Sequence, residues 1–520
     1  MANANKTIFG IHDIEGVHDG AIVSEKLGTA DDQHDMLRMG KIQKLRRNFG
    51  FFSIFGFSMI LLSTWETQLG TAAFGLFNGG SAGLIYMYIA TACGFSTVVL
   101  SMAEMGSMAP TAGGQYHWVS EFAPRRAQRF LSYVVGWLSV LGWQTGSAAS
   151  AFLAGTEIQG LIALNYPDTY VFQRWHGTLL TIAVASVCCI FNTFFARKLP
   201  LVEGCILILH VLGFFAIMIP LLVLSPRRKA EAVFTDFNDN GWGSVGLSCL
   251  VGILTPTVSL LGSDAATHMS EELQHASATL PKAMIATIIF NGLFGFGMLL
   301  TFLFCLGNIE HVLATPTGYP FIQVFADGTQ SIAAATGMTS IMIVLSTCCC
   351  MTNMATASRQ LFAFARDHAI PYPEIFSTVK WEIPFNAIIF TLGVTSLLSL
   401  INIGSTVALN QIISLGVSAL ISSYIVSISC VCLKRLRKQA LLKRHFSLGK
   451  YGLPLNITAV SFLLVVYIFS FFPAEPNPSP DHMNWSILIY GCVMIFSLVF
   501  FWVKGRHIYV GPVEYVRKDL

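Results

Sequence analysis

The stretch Ser63-Thr64-Trp65-Glu66-Thr67-Gln68 interrupts a run that is otherwise apolar from residue 49 to residue 77. An ionised carboxylate at the centre of a bilayer costs about 2.5–3.5 kcal/mol on insertion scales, so Glu66 is expected to face protein or a water-filled cavity. The sequence therefore predicts a membrane span that is broken at this stretch. The alternative, a helix that simply ends near Ser63, is less favoured because residues 71–77 are apolar again.

A second polar stretch, Leu261-Gly262-Ser263-Asp264, interrupts the sixth apolar run in the same way. Paired interruptions in two halves of a chain point to a transporter's binding site, because unwound backbone offers amides and carbonyls to a ligand. Polar residues in the third run either line the same cavity or mediate helix contacts. The predicted substrate-binding residues are Ser63, Thr64, Trp65, Glu66, Thr67, Trp143, Gln144, Gly262, Ser263 and Asp264.

The composition places the chain in a membrane. Hydrophobic residues make up 54% of it and charged residues 11%, against about 25% charged in soluble domains. The net charge of +3 gives no indication of a nucleic-acid partner. The twelve cysteines lack metal-ligand spacing, and no nucleotide loop, zinc pair or nucleophile elbow is present. We therefore predict an integral membrane protein that is not an enzyme and that needs no metal or cofactor.

About twelve apolar runs approach the roughly 20 residues that cross a bilayer. The runs cover residues 49–77, 81–101, 130–153, 177–195, 199–224, 246–267, 283–306, 331–357, 385–403, 407–433, 455–472 and 485–503. An even number of spans puts both termini on one side of the membrane.

The basic residues indicate which side that is. Lys and Arg cluster before the first run and after the even-numbered runs, most densely in residues 434–450, and such loops stay cytoplasmic. Residues 1–48 and 504–520 are accordingly expected to be cytosolic tails. The exception is Arg227-Arg228-Lys229, which follows the fifth run. Asn484 begins a glycosylation sequon on the opposite side, but it abuts the membrane and is a weak signal.

The connection after the second run holds the most specific local pattern, Pro110-Thr111-Ala112-Gly113-Gly114-Gln115-Tyr116-His117-Trp118. Pro110 stops a helix, and the two glycines permit backbone conformations that other residues resist. On physical grounds alone, this segment is a hinge between two spans.

This pattern resembles the inner-loop signature of the amino acid/polyamine/organocation transporter superfamily. Its amino-acid sequence is most similar to that of the fungal amino acid/choline transporter family. Residues 262–272 with Leu280-Pro281, and residues 357–367 with Ile370-Pro371, are similar to other loops of that family. The resemblance implies an all-α fold of two inverted five-helix repeats, about residues 49–224 and 246–433, with extra helices at about 455–503. It also implies alternating access, a substrate held between the first and sixth spans, and a cytoplasmic gate and signature formed by Gly113, Gly114, Arg359, Arg366 and Asp367.

The first break departs from the glycine-rich pattern of amino acid carriers in this superfamily. An aromatic ring and a carboxylate, Trp65 and Glu66, both attract an ammonium group. Choline, GABA or a polyamine-like amine therefore competes with an amino acid as the substrate. The predicted function is secondary active transport of one of these across a membrane, expected to be the plasma membrane. The rival interpretation is a nutrient receptor that keeps the fold but does not transport.

Two sets of residues are candidates for binding the coupling ion. Glu203 and His210 are seven residues apart in the fifth run, hence on one helical face, and either is suited to carry a proton. Ser346 and Thr347 in the eighth run offer oxygens for sodium or simply hydrogen-bond neighbouring helices. We expect proton-coupled symport.

Overall fold

The computed structural model describes residues 28–39, 41, 43, 45–509 and 511–512. Most of the predicted N-terminal tail, residues 1–48, and the last residues of the C-terminal tail, 513–520, lie outside the described residues.

The described chain is built from helices, which confirms the predicted all-α membrane fold. The first span is divided into Phe51–Leu62, Thr64–Gly70 and Ala72–Phe77. Eleven further helical stretches among the described residues are long and apolar enough to cross a membrane, and we number them as spans two to twelve. They are Gly80–Met108, Arg125–Asn165, Arg174–Phe194, Ala196–Leu224, Val245–His268, Ala276–Cys305, Ile332–Arg366, Phe385–Gly404, Ala408–Leu436, Gly449–Phe469 and Ser486–Ile508.

Short helices connect several of the spans. They are Ala30–Arg38, Gln115–Phe122, Ala230–Thr235, Ile309–Leu313, Pro320–Thr329 and Pro373–Phe376. The only pairing of extended backbone between distant segments in the described part of the chain is an isolated bridge, in which Phe49 pairs with Leu273. This bridge joins the segment before the first span to the end of the sixth.

Several spans extend beyond their apolar runs, the third and the eighth among them. The third was predicted over residues 130–153 but the helix covers Arg125–Asn165, and the eighth was predicted over residues 331–357 but continues to Arg366. In both cases the extra turns carry polar side chains that are buried against other helices, such as Glu157 and Arg359. Hydropathy alone ends a helix where polar residues begin, whereas tertiary packing lets it continue.

The spans pack in pairs taken from the two halves of the chain. The second packs on the seventh, the third on the eighth, and the fourth on the ninth. This is the pairing expected of two five-helix repeats, with the two broken spans, the first and sixth, in corresponding positions. The exact repeat boundaries remain predictions.

The connections define two ends of the bundle. The basic end carries the described residues between 28 and 50 and the connection 437–448, and the open end carries residues 225–244 and 470–485. Arg228, part of the exception to the charge pattern, lies at the open end. It donates hydrogen bonds to Asp236 at 2.9 Å and to the Ser81 hydroxyl at 2.8 Å. Local pairing therefore accounts for this cation.

Candidate functional site

The first span breaks at Ser63, as predicted. Ser63 has φ 39° and ψ 50°, a left-handed conformation that ends the helix Phe51–Leu62. Its hydroxyl donates to the carbonyl of Ile60 at 2.6 Å, and the helix Thr64–Gly70 starts immediately afterwards. The first N–H groups of that second segment have no acceptor within their own helix. The break therefore leaves polar backbone at the depth of the membrane.

The sixth span breaks at Leu261 and Gly262. Leu261 is extended, and Gly262 has φ +116°, a conformation that favours glycine. A Cβ at Gly262 would lie 2.9 Å from the Leu61 side chain, which belongs to the first break. The absence of a side chain here thus allows the two breaks to meet.

A cavity of ≈ 90 Å³ lies where the two breaks meet, between the first, third, sixth, eighth and tenth spans. Among the described residues that line it, none carries a charged side chain. Its hydrogen-bonding side chains are Ser63, Thr67, Thr71, Trp143, Thr145, Ser150, Ser346 and Asn353. The Trp143 indole N–H and the Ser346 hydroxyl have no hydrogen-bond partner among the described residues. Buried polar atoms normally have partners, so these two are available to a ligand.

The predicted binding residues divide into two groups. Ser63, Thr67, Trp143 and Gly262 line the cavity, and so does Ser346, which was predicted as an ion-coupling candidate. Thr64, Trp65, Glu66, Gln144, Ser263 and Asp264 are buried nearby but lie outside its lining. Gln144 instead donates to the Thr391 hydroxyl of the ninth span at 3.1 Å.

The positions of Trp65 and Glu66 differ from the expectation that they face a cationic substrate. The Trp65 ring packs against His210 and Phe214 of the fifth span, with ring centroids 5.8 and 6.1 Å apart. Glu66 Oε1 lies 2.6 Å from His210 Nδ1, and both side chains are fully buried. The second carboxyl oxygen and the other ring nitrogen of this pair have no partner in the described chain. The pair is thus suited to holding a proton beside the first break.

Asp264 supports the second break. Its carboxylate accepts hydrogen bonds from the Tyr424 hydroxyl and, at 2.6 Å, from Gln115 Nε2. His268 Nε2 lies 3.5 Å from the same carboxylate, and the Trp143 ring meets His268 edge-on. Because its oxygens are already bonded within the protein, Asp264 is placed to brace the unwound backbone.

The signature segment packs directly on this support. Gly114 has φ +53°, and a Cβ there would lie 2.9 Å from the His268 ring. His268 Nδ1 donates to the Ala112 carbonyl at 2.8 Å, and Gln115 bonds Asp264. The neighbouring Gly113 packs against Tyr116. The segment therefore connects the second and third spans and also holds the sixth.

Buried ion pairs close the basic end below the cavity. Arg366 donates two hydrogen bonds to Glu271, at 2.9 and 2.8 Å, and Arg359 donates to Glu272 at 2.5 Å. Both pairs join the end of the sixth span to the eighth. Burial alone would raise the pKa of Glu271, but the charge and hydrogen bonds of Arg366 outweigh it and lower this pKa to about 2. Glu271 is therefore ionised at any physiological pH.

The segment before the first span adds to this closure. Lys41 lies 2.6 Å from Asp367, which also accepts a hydrogen bond from Tyr116 at 2.8 Å. Burial lowers the pKa of Lys41, and the charge of Asp367 only partly offsets this. Asp32 pairs with Arg47 at 3.4 Å and accepts from two backbone N–H groups at the start of the seventh span. These contacts join the segment to both halves of the bundle.

The other ion-coupling candidates occupy separate places. Glu203 accepts a hydrogen bond from Thr352 of the eighth span at 3.1 Å, and its other oxygen has no partner in the described chain. The Thr347 hydroxyl donates to the Ile343 carbonyl of its own helix at 2.8 Å. Neighbouring helical residues point about 100° apart, so Ser346 and Thr347 face different surroundings.

Sequence reasoning missed one buried acid, Glu157 in the third span. Both of its carboxyl oxygens are buried without a hydrogen-bond partner among the described residues. The predicted apolar run ended at Leu153, one turn earlier, so Glu157 fell outside the predicted span. An ionisable residue in a span indicates function by default, and a longer third span would have identified it.

The open end leads to the cavity through a vestibule of ≈ 590 Å³. Thr71 and Leu409 line both the vestibule and the cavity. At the rim, Tyr319 and Thr156 share a hydrogen bond of 2.5 Å between their hydroxyls. The central cavity therefore lies close to the vestibule at the open end of the bundle, and ion pairs cover it at the basic end.

Comparison with known proteins agrees with this architecture. Residues 49–495 match the profile of a family described as "Amino acid permease". The chain is 30% identical to a putative amino acid/polyamine transporter of Macrophomina phaseolina, over 83% of this chain and 96% of the relative. It is 26% identical to a choline transporter of Saccharomyces cerevisiae, over 89% of this chain and 82% of the relative. Amino-acid permease 2 of Neurospora crassa is 25% identical over 92% and 88%.

Proposed function

Because the chain belongs to the amino acid permease family, we propose that it is a proton-coupled symporter that carries a small amino compound by alternating access. The observation that carries the proposal is the junction of two broken spans at a central cavity, with ion pairs on one side and a vestibule on the other. Such an arrangement presents a central site to one side of the membrane at a time.

The preferred substrate is an amino acid in its neutral, zwitterionic form. An uncharged lining gives a net cation no compensating charge, and burying an unpaired charge is costly. The freed amides and carbonyls of the two breaks offer partners for a carboxylate and an ammonium group together. Glu66, the strongest argument for a quaternary amine, is paired with His210 outside the lining.

The coupling ion is a proton, and its carrier is the Glu66–His210 pair. This pair joins the first break to the fifth span, so movement of the break changes the distance between the two groups. The basic end faces the cytoplasm, in keeping with its Lys and Arg content. The plasma membrane remains the predicted location.

Reconstituted protein in sodium-free liposomes that enclose a pH-sensitive dye tests this proposal. A panel of neutral amino acids, GABA, choline and polyamines is added outside at acidic pH, and radiolabel uptake is measured beside internal acidification. We expect a neutral amino acid to accumulate and to carry protons inward.

Three results would contradict parts of this account. Uptake that requires sodium would contradict the proton as the coupling ion. Preference for choline or a polyamine would contradict a zwitterionic amino acid as the substrate. Saturable binding without any flux would favour the receptor interpretation.

A further inference from the structure

Glu157 is a buried acid that the function described so far does not use. It lies in the third span, fully enclosed, with both carboxyl oxygens unpartnered within the described chain. Leu153, one helical turn away on the same face, lines the cavity, and the adjacent Thr156 lines the vestibule. Glu157 thus occupies the level between the vestibule and the cavity.

The groups that face Glu157 come from three other elements. Ser346 of the eighth span and Glu66 of the first act on its carboxyl group, and Glu157 in turn acts on the Tyr319 phenol at the open end. None of these is a cation. On the side of the fourth span, Tyr170 bonds to His176 at 2.8 Å and accepts from Gln159 at 3.1 Å.

This environment disfavours an ionised carboxylate. A buried charge is tolerated when it is paired or well hydrogen-bonded, and Glu157 has neither kind of partner in the described chain. A protonated carboxyl group is neutral and able to donate. Glu157 therefore holds a proton while it is enclosed and has a second acid, Glu66, within electrostatic reach.

We infer that Glu157 is the proton entry site, which takes a proton from vestibule water and passes it to the Glu66–His210 pair. The Glu157 carboxyl group releases its proton, the Glu66–His210 pair takes that proton up, and a proton from the acidic vestibule water then restores the Glu157 carboxyl group, so that one proton moves inward. The inference rests on the proposed proton coupling. It also links the proton path to the substrate site, because Leu153, one helical turn from Glu157, lines the cavity.

The test uses Glu157→Gln in the full-length protein, reconstituted beside the unmodified protein and the control Glu310→Gln. The control removes an exposed carboxylate at the open end. Two readouts are taken with the amino acid identified by uptake: substrate-driven internal acidification, and counterflow exchange at equal pH, which requires binding and alternation but no net proton movement.

We expect the unmodified protein and Glu310→Gln to give both signals, and Glu157→Gln to keep counterflow while losing acidification. Acidification retained in Glu157→Gln would overturn the entry site and leave the coupling proposal standing. Absence of acidification in the unmodified protein would instead overturn the coupling proposal, and the inference with it.

A second variant covers loss of both signals in Glu157→Gln. Glu157→Asp keeps a carboxyl group and is expected to restore counterflow and acidification together. Failure of Glu157→Asp to restore either signal would overturn the inference, because it would make Glu157 a packing residue.

Discussion

The two ends of the bundle are closed by different kinds of contact. At the basic end, carboxylates such as Glu271 are fully buried and each faces a guanidinium or ammonium group. At the open end, the pairs are partly exposed, such as Arg228 with Asp236, and a wide vestibule separates the elements. Breaking a buried pair costs far more than breaking an exposed one. In the proposed transport cycle, we therefore expect the opening of the basic end to be the larger energetic step.

The largest effect is expected from Glu271→Gln at the basic end. This change leaves the Arg366 guanidinium buried without its bidentate partner, and losing one member of a buried pair costs about 3–5 kcal/mol. Thermal unfolding of the purified protein should show a clear drop in Tm. Glu374→Gln, an exposed acid at the same end, is the control. A Tm equal to that of the control would contradict the claim that the Glu271–Arg366 pair stabilises the closed basic end.

An intermediate effect is expected from Glu66→Gln between the two ends. Since Glu66 lies outside the cavity lining, the apparent substrate affinity should change by less than about threefold, under 0.7 kcal/mol. The rise in uptake with falling outer pH that proton coupling predicts should disappear, because the variant removes one member of the proposed proton-carrying pair. Uptake kinetics at several pH values measure both. A large loss of affinity with an unchanged pH profile would indicate that Glu66 binds the substrate and does not carry the proton.

A small effect is expected from Asp236→Asn at the open end. The Asp236 side chain is 40% exposed, and Arg228 keeps its bond to Ser81. Partly exposed pairs contribute about 0–1 kcal/mol, so Tm and uptake should stay close to those of the unmodified protein. A drop in Tm as large as that of Glu271→Gln would mean that the ion pairs at the two ends contribute equally to stability.

No effect is expected when the basic-end gate is examined between pH 5 and 8. The pKa of Glu271 is lowered to about 2 in the folded protein, below its ordinary value of 4.5. Its stabilisation is therefore fully present above pH 4.5 and is lost only as the pH falls toward 2. Because the thiolate is the reactive form, the labelling rate of cavity thiols from the basic end is divided by the rate for a free thiol at the same pH. This normalised rate should be equally slow at both pH values. Faster labelling at pH 5 would assign pH sensing to this gate.

The sequence was sufficient to predict the two breaks, because polar residues inside an apolar run violate a strong membrane constraint. Among the residues it proposed for the site are Ser63, Thr67 and Gly262, which line the cavity between the two breaks. It was not sufficient for partners, because these depend on how helix faces are rotated. Glu66 and His210 are 144 residues apart, and nothing local in the sequence pairs them.

Tertiary packing also explains the remaining differences. The sequence left open whether Asp264 shares a substrate cation or braces the unwound backbone, and only its bonds to Tyr424 and Gln115 favour the second role. Glu157 was missed because the third helix continues past the apolar run, and the signature glycines were interpreted as a hinge although one of them packs on His268. Each case needed a neighbour that is distant in sequence.

The central claim, that the site between the two breaks is reached from one end at a time, is tested most directly by thiol accessibility. Thr67→Cys, in a background without the twelve native cysteines, places a thiol in the cavity lining. A membrane-impermeant reagent is applied to vesicles of each orientation, with and without the transported amino acid. We predict labelling from the open end that substrate slows, and labelling from the basic end only when Glu271→Gln is added. Equal labelling from both ends in the intact gate, or labelling that ignores substrate, would contradict the account.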